Sequence, residues 1–126
     1  EEAKNFVDKT GVDMLAPAVG NLHGMFKNAK NPALDISRIK AIREMAGVPL
    51  VLHGGSGITD DDFVKAIDAG ISAIHISTEI RVAYKNGIKL GLQDNPDEIA
   101  PYRYMKDAVH HVEKAVEKRL RLFNKI

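Results

Sequence analysis

The sequence contains no cysteine and no tryptophan. No disulfide framework can form, and no thiolate can bind a metal or act as a nucleophile. A reducing compartment agrees with this, and a cytoplasmic location is the expectation. No apolar run approaches the ~20 residues of a membrane-spanning helix, and no signal-peptide pattern opens the chain. No charge sign dominates: 18 Lys and Arg face 17 Asp and Glu, for a net charge of +1. The pI of about 8.2 therefore argues only weakly for a nucleic-acid partner. Neither nucleic acid nor a membrane is expected as a partner. A hydrophobic fraction of 44% over 126 residues is that of one folded domain rather than a disordered chain.

What is present alternates. Residues 1–9 read as a helix, with Ala3, Phe6 and Val7 on one face and Gly11 as its stop. Residues 12–19 form an apolar run broken by Asp13 and Pro17, and read as a buried strand whose end Pro17 disturbs. A long loop over 20–34 follows, of a length often put to functional use. Residues 35–46 are helical by period, with Ile36, Ile39, Ile42 and Met45 on one stripe and Gly47 at the end. Residues 48–52 are a short apolar strand. Thr59 caps the next helix, and Asp60, Asp61 and Asp62 sit in its first turn, where the helix dipole favours them. Phe63, Ala66 and Ile67 form its buried face, and Gly70 stops it. Residues 71–76 make a third strand. Ser77 or Thr78 caps a helix with Ile80, Ala83 and Tyr84 facing inward. After a polar linker over 94–100, Pro101 opens a last long helix. Along it Met105, Ala108, Val109, Val112, Ala115, Val116, Leu120 and Phe123 keep the helical period.

Strands apolar on both faces, alternating with helices, imply a parallel sheet covered by helices. In such folds the chemistry gathers at the C-terminal ends of strands. Three polar clusters fall there: Gly20-Asn21-Leu22-His23-Gly24, His53-Gly54-Gly55-Ser56-Gly57, and His75-Ile76-Ser77-Thr78-Glu79. His23 and His53 are candidate metal ligands, because neutral imidazole binds zinc. Either alone reads as a loop histidine with a local hydrogen bond. The pair, each preceding a glycine at a strand end, favours a metal. Gly54, Gly55 and Ser56 make a glycine-rich loop before a helix start, where the backbone can approach an anion closely. Ser77 and Thr78 stand at a second helix start, and with Gly24 these positions would suit a phosphate; tight turns and ordinary capping are the plainer reading. Lys27 is equally a second anion contact or a solvated lysine. His110 and His111, adjacent on a helix, point in different directions and read as surface. The basic cluster over 114–125 is interleaved with Glu117 and reads as a helix surface. Asp13, away from the active rim, has no assigned role.

The three segments Ala18-Val19-Gly20-Asn21-Leu22-His23-Gly24, Val51-Leu52-His53-Gly54-Gly55-Ser56-Gly57 and Ile74-His75-Ile76-Ser77-Thr78-Glu79 resemble class II, zinc-dependent fructose-bisphosphate aldolases. The related tagatose-bisphosphate aldolases share the pattern. Their order and spacing match, as does Ala100-Pro101-Tyr102-Arg103-Tyr104 before the last helix. The resemblance covers nearly all of the chain, and only the C-terminal part of the family. It implies an α/β fold that is the C-terminal part of a (β/α)8 TIM barrel: strands six to eight, their helices and a long C-terminal helix. A complete barrel needs about 250 residues, so residues 1–126 are expected to be a partial barrel domain without its N-terminal part.

The resemblance implies His23 and His53 as zinc ligands at the ends of the sixth and seventh strands. It implies Gly24, Gly54 and Ser56 as the positions whose backbone holds the dihydroxyacetone phosphate end, in a region that binds a monovalent cation in some members. Ser77 and Thr78 would complete the phosphate contacts, and Lys27 resembles a loop lysine near the substrate. The family usually carries Asn, touching the enediolate, where this chain has His75, so His75 is a candidate catalytic position with an altered function. The Asp-Pro-Arg often found in the family is Ala100-Pro101-Tyr102 here, and Arg103 is not assigned a phosphate. The catalytic aspartate and a further zinc-binding histidine belong upstream.

The implied activity is reversible aldol cleavage of a ketose 1,6-bisphosphate, fructose bisphosphate first, to dihydroxyacetone phosphate and an aldehyde phosphate, in glycolysis and gluconeogenesis. Zinc would polarise the ketone, and the phosphate loops would orient the reacting bond. A Schiff-base mechanism is disfavoured, since Lys27 has no evident desolvated pocket. By itself the chain is expected to be inactive, and to associate as a homo-oligomer or through open sheet edges. Two other readings stay open: a partial-barrel module that binds phosphate or assembles without aldolase activity, and a different phosphosugar enzyme that uses His75.

Overall fold

The structure is a computed structural model and describes residues 1–22 and 32–126. It forms two compact units, Glu1–Ile76 and Ser77–Ile126.

The first unit contains helices α1 (Glu2–Thr10), α2 (Ile36–Ala46) and α3 (Asp60–Asp68) and strands β1 (Leu50–Leu52) and β2 (Ile71–Ile74). β1 and β2 pair in parallel, Leu50 with Ile71, Val51 with Ala73 and Leu52 with Ile74, with a register irregularity after Leu50. All three β1 residues are buried, as expected of a strand with neighbours on both edges and apolar cover. Its second neighbour is Leu15, joined by one isolated parallel bridge, in which Leu15 N–H donates to Pro49 and Val51 N–H donates to Leu15. The strand expected over 12–19 is thus reduced to a single bridge. Pro17 has no N–H to continue the ladder, and Met14 is largely exposed.

The helix signals behave as the residues dictate. Gly11 and Gly47 end α1 and α2 in the left-handed conformation, which glycine adopts without steric cost. Asp35 caps α2 by accepting from the Arg38 N–H at 2.9 Å. Thr59 caps α3 by accepting from the Asp62 N–H at 3.2 Å. Ile39, Phe63, Ala66, Leu50 and Leu52 are fully enclosed and, with Val19, make the core of this unit.

The second unit is helical: α4 (Thr78–Asp94), the short α5 (Pro101–Tyr104) and α6 (Lys106–Asn124). α4 and α6 pack through glycine. A Cβ on Gly87 would fall on the Ala108 backbone, and one on Gly91 on the Tyr104 carbonyl. The expected last helix is interrupted at Met105 (φ −84°, ψ −4°), beside that closest approach. Arg119 pairs with Glu79 at 2.9 Å, joining α6 to the start of α4. Tyr84, expected inward, is 41% exposed and donates its hydroxyl to Met105 Sδ. Val109 and Leu120, which keep the helical period of α6, are also more than half exposed.

Candidate functional site

The site grows from the parallel ladder. Beyond the last paired residues, His75 N–H donates to the Leu52 carbonyl at 3.0 Å, and Gly55 N–H donates to the His75 carbonyl at 3.2 Å. The His75 main chain therefore brackets His53 and Gly54. Residues paired in a parallel sheet project to the same face, so the two side chains leave the rim together. Their rings stand nearly perpendicular, at 85°, with centroids 4.3 Å apart. His75 Nδ1 lies 3.2 Å from His53 Nε2. Both side chains are exposed.

Glycine allows this approach. A Cβ on Gly55 would stand 2.7 Å from Ile76 Cδ1 and 3.0 Å from the His75 carbonyl oxygen. Gly54 and Gly57 take positive φ, 65° and 92°. Ser56 is 2% exposed, folded into the turn ahead of α3.

The chain after the Leu15 bridge reaches the same rim. Asn21 Oδ1 accepts from the Val19 N–H at 2.8 Å, while Asn21 Nδ2 donates to the His53 carbonyl at 2.9 Å. Asn21 is a staple between two strand ends. Its side-chain role went unread in the sequence, although an Asn at a strand end just before a His-Gly pair is a usable signal.

His53, Gly54, Ser56 and His75 are thus brought to one rim with Asn21. His23, Gly24 and Lys27 lie outside the described residues. Ser77 and Thr78 open α4 in the second unit; Ser77 makes no side-chain capping bond. Arg103 is held by Glu98 at 3.1 Å, and the N–H of Ala100, then Arg103, keep the Glu98 carboxyl below its ordinary pKa. Among the described residues no three or more His, Cys, Asp or Glu side chains form a metal cluster. The His53–His75 pair nonetheless fits a metal in its donor chemistry: two imidazole nitrogens at a separation close to that of neighbouring ligands on one ion.

The comparisons agree on one family. The family model for class II fructose-bisphosphate aldolase matches residues 1–126. The YdjI aldolase of Escherichia coli K12 is 36% identical with a TM-score of 0.73, and the match covers 97% of this chain and 43% of that one. A candidate fructose-1,6-bisphosphate aldolase from Coccidioides immitis is 29% identical with a TM-score of 0.82, covering 98% and 42%. The fructose-bisphosphate aldolase of Campylobacter jejuni, 19% identical with a TM-score of 0.80 over 99% and 45%, shares the fold. The chain spans less than half the length of these solved chains, and its α/β architecture is part of an aldolase barrel. The chain belongs to the class II fructose-bisphosphate aldolase family.

Proposed function

We propose that the protein carrying this chain is a zinc-dependent ketose-1,6-bisphosphate aldolase acting in the cytoplasm, in glycolysis and gluconeogenesis. Fructose 1,6-bisphosphate is its first substrate, and dihydroxyacetone phosphate and an aldehyde phosphate are its products. In this reading residues 1–126 are one partial barrel domain, which self-associates. The observation that carries the reading is the convergence of Asn21, His53 and His75 on one rim, beside a glycine loop that lets an anion approach the backbone.

His53, with His23, would hold the zinc, which when bound polarises the ketone as a Lewis acid. Asn21 donates to the His53 carbonyl, a contact that would hold His53 in place for the metal. Backbone groups of Gly24, Gly54 and Ser56, in a region that also suits a monovalent cation, would hold the phosphate of the three-carbon half. Ser77, Thr78 and Lys27 would add contacts. Fixing that phosphate would align the bond to be broken. In cleavage the C4 hydroxyl would lose its proton to a carboxylate base. C4 becomes the aldehyde carbonyl, the C3–C4 electron pair moves towards C2, and C3 then takes a proton. His75, whose Nδ1 lies 3.2 Å from His53 Nε2, is the catalytic candidate within this chain.

The test is cleavage of fructose and tagatose 1,6-bisphosphates by the full-length protein, before and after chelation. The expected result is release of dihydroxyacetone phosphate that stops with chelator, returns with Zn2+ and survives borohydride. Cleavage insensitive to chelator but stopped by borohydride would indicate a Schiff base and overturn the reading. No cleavage of either substrate would leave the phosphate-binding module as the better account. By itself the 126-residue chain is expected to release no triose phosphate.

A further inference from the structure

We propose that His75 is a direct ligand of the divalent cation, sharing one ion with His53 through His75 Nδ1 and His53 Nε2. The inference rests on the aldolase reading only in taking His53 as a ligand. The separation of the two nitrogens is 3.2 Å. Two nitrogens bound tetrahedrally to one zinc, each at about 2.0–2.1 Å, stand about 3.3 Å apart. The contact thus already has the edge length of a tetrahedron.

The rings do not yet aim at a common point, because their centroids are only 4.3 Å apart. The χ2 torsion of histidine is broad and soft, so the rings can reorient towards one ion when it binds. The backbone is held firmly. His75 is fixed to Leu52 and Gly55 by main-chain bonds, and the carbonyl of His53 is held by Asn21. Both imidazoles are exposed, so an ion from solvent reaches them directly. Nitrogen donors of this kind select zinc, cobalt, nickel or copper over magnesium and calcium.

The same 3.2 Å contact has a competing explanation, a hydrogen bond in which His75 only orients His53. Affinity alone does not separate the two, because removing a residue that orients a ligand also weakens metal binding, by about 10–100-fold. The experiment is therefore NMR of the protein labelled with 15N-histidine and loaded with 113Cd2+. Resonances are assigned with His75→Asn and His53→Ala, and circular dichroism of each variant checks the fold. One-bond 113Cd–15N coupling at both His53 Nε2 and His75 Nδ1 is the expected result. Coupling at His53 alone overturns the proposal and leaves the aldolase reading standing. Coupling at neither overturns the proposal and removes His53 as a ligand as well.

Discussion

His53 and His75 meet because the main chain of His75 bonds to Leu52 and to Gly55, which bracket His53 and Gly54. Their types and strand-end positions were legible in the sequence. Their contact was not, because register between strands depends on hydrogen bonding and on the space left by Gly55, neither of which periodicity encodes. Asn21 was legible as part of a motif but not as a staple. Replacing it with Ala removes the bonds to Val19 and His53. Zinc affinity, followed against a chromophoric chelator, is expected to fall about tenfold with the fold intact; unchanged affinity would end its positioning role. Gly55→Ala would press a methyl group against the His75 carbonyl. Urea unfolding is expected to show a loss of about 1–3 kcal/mol, the usual range for overpacking.

At the scale of elements, α1, α2 and α3 were read closely from caps and stops, since those signals are local. Thr59→Ala should cost about 1 kcal/mol by removing the cap on the Asp62 N–H, measurable by thermal melting. At the start of α2, the Ser37 hydroxyl and then the Arg38 N–H hold the Asp35 carboxyl below its ordinary pKa. The sign follows from linkage. A depressed folded-state pKa gives stability that is present above the unfolded pKa and lost as pH falls through the folded one. Acid titration should destabilise the α2 start in that window, and Asp35→Asn should flatten the pH dependence there. The apolar run over 12–19 predicts more strand than forms. A proline without a donor N–H leaves only the Leu15 bridge. The helical period predicts one unbroken last helix, whereas the close approach of Gly91 to Tyr104 coincides with a break at Met105. Gly91→Val would drive its side chain into the Tyr104 carbonyl at the end of α5, and a large drop in melting temperature is the expected outcome.

At the scale of the molecule, the α6 period correctly marks an apolar face but not what lies against it. Ala108 is fully buried while Val109 and Leu120 are mostly open, so hydrophobic period and burial diverge along one helix. The barrel character, by contrast, was visible in the alternation of strands and helices, and the chain's coverage of under half of its solved relatives fits three strand ends rather than eight. We propose the His53 rim as the metal-dependent reaction centre of an aldolase. The most direct measurement is kcat for fructose 1,6-bisphosphate cleavage by full-length protein carrying His53→Ala, with circular dichroism as the fold control. Losing several kcal/mol of metal stabilisation predicts a fall of about a thousandfold or more. A folded His53→Ala protein that keeps kcat within about twofold of the parent, where a tenfold change is only about 1.4 kcal/mol, would contradict the account.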